Sequence, residues 1–258
     1  MSVYMIIYII VFIICSIGIP LNGIVIWLLG FQIKRNPFMV LILNLAIADF
    51  GFLAILEIIC ICYFIHYIHS IHFIYLQILL NILLFFSCTL YISGLFLLTA
   101  ISIDRCVAVL FPIWHRCSRP KHLSPVVCAL IWICSFLLGG IMNILVSVFN
   151  YYGFSNLHLV VTAVLCLPLI TISTLILFVK ICIKPKQIKR GRLLVMISIT
   201  LLCFLIFSLP LNIYGLYGHF VYDSYSFQDI SLNVCLPLGG SLNSSVNPII
   251  YYLVGRKK

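Results

Sequence analysis

The chain has 258 residues, 64% hydrophobic and only 8% charged, and carries a formal net charge of +10. Soluble domains carry about 25% charged residues, so this composition excludes an ordinary soluble domain and places the chain in lipid. Its charge lies between and at the ends of apolar segments rather than in one basic patch, which excludes a nucleic-acid partner.

A helix needs about 20 apolar residues to cross a bilayer core. Seven apolar segments meet that length, at 3–31, 37–65, 73–108, 123–147, 157–183, 192–217 and 228–254, with charged or turn-forming breaks between them. They predict an all-α bundle of seven transmembrane helices, called spans one to seven below. Short connections favour antiparallel neighbours, and no length remains for a second domain, so 1–258 reads as one domain. The first segment lacks the basic start and small-residue cleavage site of a signal peptide and is read as span one.

All fifteen Lys and Arg fall at one set of helix ends or in the loops after spans one, three, five and seven. These are Lys34 and Arg35; Arg105, Arg116, Arg119 and Lys121; Lys180, Lys184, Lys186, Lys189, Arg190 and Arg192; and Arg256, Lys257 and Lys258. By the positive-inside rule these loops are cytoplasmic and the amino terminus is outside. The same charges attract anionic lipid of the inner leaflet, which makes membrane lipid a partner.

Asn22 in span one and Asp49 in span two are polar groups well inside apolar segments, where an amide and a carboxylate need partners within the bundle. Glu57 follows Asp49 by eight residues, about 12 Å further outward. Either it reaches the headgroups near Tyr63 and His66 or it faces the bundle cavity as a ligand contact; the cavity is the reading taken here. His66, His69 and His72 recur every third residue in the first outer loop, yet no Cys or acid completes a metal site, so they read as interfacial residues.

Span three runs Leu95-Phe96-Leu97-Leu98-Thr99-Ala100-Ile101-Ser102-Ile103 into Asp104-Arg105-Cys106, followed by Phe111-Pro112-Ile113-Trp114-His115-Arg116-Cys117-Ser118-Arg119-Pro120-Lys121. An arginine at the bilayer centre costs roughly 2.5–3.5 kcal/mol, so Arg105 belongs where its helix leaves the lipid, beside Asp104. Asp-Arg-Cys resembles the motif that closes the third helix of rhodopsin-like G protein-coupled receptors. The longer string from Leu98 to His122 resembles the Mas-related group of that family.

The resemblance implies a plasma-membrane receptor that converts binding of an extracellular peptide or small molecule into activation of a heterotrimeric G protein, with no enzymatic activity and no cofactor or resident metal. Activation would rest on Asp104, Arg105 and Cys106, on Pro210 as the kink of span six, and on Asn247, Pro248 and Tyr251, which match the family's Asn-Pro-x-x-Tyr motif. A polar network of Asn22, Asp49, Asn243 and Ser244 is implied as well, with a sodium ion as its candidate occupant. Gly94 stands where span three usually offers a serine hydroxyl.

Ser87 precedes Arg105 by eighteen residues, five turns at about 3.6 per turn, so the two share a stripe about 27 Å long with Tyr91 one turn below Ser87. A ligand cavity is read from Glu57, Ser87, Tyr91, Asn143, Asn212, Tyr214 and Asn233. The outer half of span three has no aspartate to hold an amine, and the outer segments offer no basic residue to an anion. No Cys begins span three and none lies between Ser147 and His158, so the family's common outer disulfide is absent, as in many Mas-related receptors. The twelve Cys sit mostly inside spans and read as small buried hydrophobes.

Trp132 stands at the family's signature position in span four. Ser208 occupies the place, two residues before Pro210, where most rhodopsin-like receptors have tryptophan. Arg190 takes the place of an acid that would lock Arg105, which points to raised basal activity. The chain stops at Gly255-Arg256-Lys257-Lys258, from which a missing carboxy-terminal tail is expected; a signalling-poor receptor fragment acting as a membrane partner is the alternative reading.

Overall fold

The structure is a computed structural model describing residues 3–32, 36–69, 74–120, 122–147, 162–183, 199, 202–204, 206, 210 and 236–255. Every regular element among them is helical. Span one is Val3–Trp27 and continues as a π turn over Leu28–Gln32. Span two is Pro37–His69, span three Ile74–Leu110 and span four Leu123–Ser147. Span five opens with a π turn, Thr162–Cys166, and runs on as Leu167–Ile183; span seven is Leu236–Gly255. The described positions between Ile199 and Pro210, within span six, are helical.

The predicted segments and the helices agree to within a few residues at most ends, because an apolar run of bilayer length leaves the backbone only one way to satisfy its own hydrogen bonds. Pro20 lies inside span one and Pro248 inside span seven without ending either helix. Four helices among the described residues are long and apolar enough to cross a membrane: Tyr4–Gln32, Pro37–His66, Ile78–Leu110 and Leu123–Ile141. A shorter apolar helix covers Val164–Lys180.

Spans one and two pack together, spans two and three pack together, and span seven lies against both one and two. Span three also meets spans four and five, which makes it the central strut. Branched apolar residues such as Ile13, Ile17, Ile24, Ile133 and Ile172 face outward, where lipid would cover them. Polar side chains lie inside: Asn22, Asp49, Ser93, Ser102, Ser135, Ser244 and Asn247 are all buried. That inversion is what a bilayer imposes, since small and polar residues hold helices together where hydrophobicity cannot discriminate lipid from protein.

Glycines set the closest approaches. A Cβ on Gly139 would lie 2.3 Å from Thr89 Oγ1, so spans three and four touch there. One on Gly240 would lie 2.6 Å from Phe52 Cζ, and one on Gly18 2.2 Å from Ser245 Oγ, so span seven is drawn against both span two and span one.

Candidate functional site

Midway along the bundle, Asp49 joins span two to span seven. Its Oδ1 accepts a hydrogen bond from Ser244 Oγ at 2.8 Å and its Oδ2 one from Asn247 Nδ2 at 2.9 Å. The carboxylate is 4% exposed, so these bonds replace water rather than supplement it. Span one enters through Asn22, whose Nδ2 donates to the backbone oxygens of Gly18 at 3.1 Å and Ser244 at 3.0 Å. The sequence paired Asn22 with Asp49; the structure connects them through Ser244, whose backbone serves Asn22 and whose hydroxyl serves Asp49. Asn243 is buried beside this chain of bonds, and its Oδ1, like that of Asn22, has no hydrogen-bond partner among the described residues.

Gly94 of span three faces the same centre, and a Cβ there would stand 3.6 Å from Asp49 Oδ1. Both carboxylate oxygens already take a protein donor, and Gly94 adds no oxygen. Asn247 was assigned from its motif to activation alone; its amide belongs to this network too, and Tyr251 is helical with its side chain outside the described atoms.

A second cluster closes the carboxy-terminal end of span three. Arg105 is 7% exposed, pairs with the neighbouring Asp104, and lies with Cζ 3.7 Å from the centre of the Phe38 ring of span two. A guanidinium over an aromatic face gains about 0.5–2 kcal/mol depending on how dry the site is. The other oxygen of Asp104 takes Arg119 Nη2 at 2.8 Å, from the loop beyond the short helix Pro112–Cys117. Cys106 donates its thiol to the backbone oxygen of Ser173 at 3.3 Å, which ties span three to span five. On the far side, Trp132 Nε1 donates to Asn44 Oδ1 at 3.0 Å, bridging spans four and two.

Phe38 and Arg119 were not singled out from sequence. A phenylalanine at the start of an apolar run carries no signal of its own, and a loop arginine reads as topology until the chain is folded back on Asp104.

The chain lies within a known family. The family described as "7 transmembrane receptor (rhodopsin family)" matches residues 21–251. This chain belongs to the rhodopsin-like seven-transmembrane receptors. It is 36% identical over 254 residues to the human "Proto-oncogene Mas", covering 95% of this chain and 76% of that protein. It is 38% identical over 252 residues to the human "Mas-related G-protein coupled receptor member D", covering 95% and 77%. To the mouse "Mas-related G-protein coupled receptor member B2" it is 36% identical over 251 residues, covering 94% and 72%.

The chain is therefore a G protein-coupled receptor of the Mas-related type, a multi-pass membrane protein built as a seven-helix bundle, and a receptor rather than an enzyme. Heterotrimeric G protein is the partner that membership implies.

Further toward the amino terminus of span three, this receptor's Ser87 is fully buried with no partner for its Oγ among the described residues, and Tyr91 is buried with its ring 5.6 Å from that of Phe52. Ser87, Tyr91 and Arg105 are all buried, on a helix that is buried on most of its faces. Glu57 Oε1 accepts from Ser16 Oγ at 2.7 Å, across the contact between spans one and two. Asn143 is half-buried in span four. Pro210 is helical and exposed, while Asn212, Tyr214, Asn233, Arg190 and Ser208 lie outside the described residues. Among the described residues no group of three His, Cys, Asp or Glu is placed to hold a metal ion.

Proposed function

We propose that the receptor sits in the plasma membrane with its amino terminus outside, as a single domain over 1–258, and couples an outer cavity to a G protein site at the inner end of span three. What supports this reading is that one continuous helix, Ile74–Leu110, carries the buried Ser87 and Tyr91 and, five turns on from Ser87, the buried Arg105. One rigid helix then links ligand and partner. An extracellular ligand acts by binding the active arrangement more tightly than the resting one, which shifts the population between them.

Ser87 and Tyr91 are the cavity residues this reading rests on most, with Asn143, Asn212, Tyr214 and Asn233 lining the same cavity. The unpartnered Ser87 hydroxyl offers a ligand one hydrogen bond. Glu57, bonded to Ser16, reaches a ligand only by leaving span one. A small neutral, weakly cationic or peptide ligand suits the lack of outer basic residues. At the inner face, Asp104, Arg105 and Cys106 meet the G protein, and Pro210, Pro248 and Tyr251 serve the helix movements that open that face. The inner Lys and Arg hold anionic lipid.

For the central network, a sodium ion would draw on the open oxygens of Asn22 and Asn243 and would compete with Ser244 and Asn247 for Asp49. Sodium dependence is accordingly expected to be weak.

The reading stands or falls with orientation, because a G protein meets only the cytoplasmic face. With an epitope placed before Met1 and another after Lys258, antibody should stain the first in intact cells and the second only after permeabilisation. The reverse pattern would put Arg105 outside and end the reading.

A further inference from the structure

The short helix Pro112–Cys117 follows span three directly; Pro112 starts it and the Ser118 amide closes it on Trp114 O at 2.8 Å, but it is too short to hold itself in place. It has six residues, its N-cap residue Phe111 makes no side-chain capping bond, and isolated helices shorter than about 12 residues are marginal in water. Apolar packing does little for it, since Phe111 is 61% exposed and Ile113 80%.

What ties it down is a set of polar contacts centred on Arg119. Arg119 Nη1 lies 2.9 Å from His115 Nε2, on the short helix itself. Arg119 Nη2 reaches Asp104 Oδ1 at 2.8 Å and donates to Ser124 Oγ at 2.7 Å, at the start of span four. His115 Nε2 is also 3.5 Å from Asp104 Oδ1, but the shorter approach to Arg119, which can only donate, makes this nitrogen an acceptor. The Arg119 side chain is 9% exposed and Ser124 is 2% exposed, so these bonds are shielded from water. One planar guanidinium therefore joins span three, the short helix and span four.

We propose that Arg119 is a positioning residue for G protein activation, bridging Asp104, His115 and Ser124 so that the short helix is held against the inner end of span three. This rests on the G protein reading above, in which the Asp104–Arg105 pair is the activation site. The bridge holds the side of Asp104 that Arg105 does not use, and it sets the pose of the short helix that carries the exposed Ile113. Lysine at this position keeps the charge but offers one nitrogen where Arg119 uses two, so it replaces the bridge only in part.

The test uses the full chain in lipid nanodiscs and reads backbone hydrogen exchange over the short helix. The amides of His115 and Ser118 bond to the oxygens of Phe111 and Trp114 at 3.0 and 2.8 Å and should be protected in the natural chain. In Arg119→Gln they should exchange about tenfold faster, the scale of one lost hydrogen bond to a charged group. Arg119→Lys should fall between, and Arg119→Gln should have a smaller effect in an Asp104→Asn background, where only the ties to His115 and Ser124 remain to be lost.

Ligand-free nucleotide exchange on purified heterotrimer, at equal receptor amount, should drop at least twofold in Arg119→Gln toward the level of Arg105→Ala. Unprotected amides in the natural chain, unchanged protection in Arg119→Gln, or a full effect of that substitution on top of Asp104→Asn would each overturn the proposal. So would loosened amides with unaltered nucleotide exchange. A natural chain that does not exceed Arg105→Ala counts against the G protein reading instead, and the amide protection still decides whether the bridge holds the helix.

Discussion

Asp49→Ala should lower the thermal unfolding midpoint of the purified receptor more than any other single change to the polar network. The substitution removes the acceptor of two buried donors, Ser244 Oγ and Asn247 Nδ2, and leaves both without water. An orphaned buried donor costs about 1–3 kcal/mol, so the pair amounts to roughly 2–6 kcal/mol. Asn247→Asp instead sets a second carboxylate against Asp49, whereas Asp49→Asn can turn its oxygen to Asn247 and its amide to the Ser244 hydroxyl and should lose little. Adding Asp49→Asn to Asn247→Asp restores one donor facing one acceptor across the same gap. The double substitution should therefore recover most of the stability lost in Asn247→Asp, measured by thermal unfolding in detergent together with surface level in cells. Two losses that simply add would show that Asp49 and Asn247 do not act as a pair.

Gly18→Val should be nearly as severe, for a steric reason. Even the first added atom would lie 2.2 Å from Ser245 Oγ, 2.7 Å from Leu53 Cδ1 and 3.0 Å from Ser245 Cβ. The hydroxyl can rotate away, giving up its 3.3 Å bond to the backbone oxygen of Ile14, but Ser245 Cβ moves only with span seven. Overfilling a packed site of this kind costs typically about 1–3 kcal/mol, and separating span one from span seven also strains the bond from Asn22 to Ser244. Gly18→Ala should show a smaller loss of the same kind, partly recovered by Ser245→Gly. Gly94→Ala is the contrasting case: its Cβ meets Asp49 Oδ1 at an ordinary 3.6 Å, and replacing a helical glycine should raise the unfolding midpoint. Equal responses at Gly18 and Gly94 would contradict this account of the packing.

The parts of this receptor that were legible in the sequence are those fixed by the bilayer or by spacing along one helix. Length and apolarity placed the spans, and eighteen residues set Ser87 five turns from Arg105 on one helix, though burial there extends round most of that helix. Asp49 stood out because a carboxylate inside an apolar run needs a partner, and span seven supplied two. The rotation of span two about its axis was not legible. Its outer half is apolar on nearly every face, so nothing in the pattern told whether Glu57 would face the cavity or span one, where Ser16 takes it. Nor was the π turn at Leu28–Gln32 or at Thr162–Cys166 announced by any residue type. The contacts of Phe38 and Arg119 depend on where separate elements meet at the inner face, and one-dimensional periodicity does not carry that information.

The two polar clusters have different characters. The Asp49 network spans the bundle's middle with neutral donors on one carboxylate, and it links spans one, two and seven. The Asp104 cluster sets one carboxylate against two guanidinium groups, so it carries excess positive charge at the face proposed above for the G protein. Loss of the first should show as instability, and loss of the second as altered signalling at preserved fold.

The central claim, that Arg105 transmits activation to a heterotrimeric G protein, is tested most directly by ligand-free G protein activation in cells, comparing the natural chain with Arg105→Ala at equal surface level. The account predicts a signal above that of untransfected cells which falls in the variant. A signal left unchanged by Arg105→Ala would contradict it.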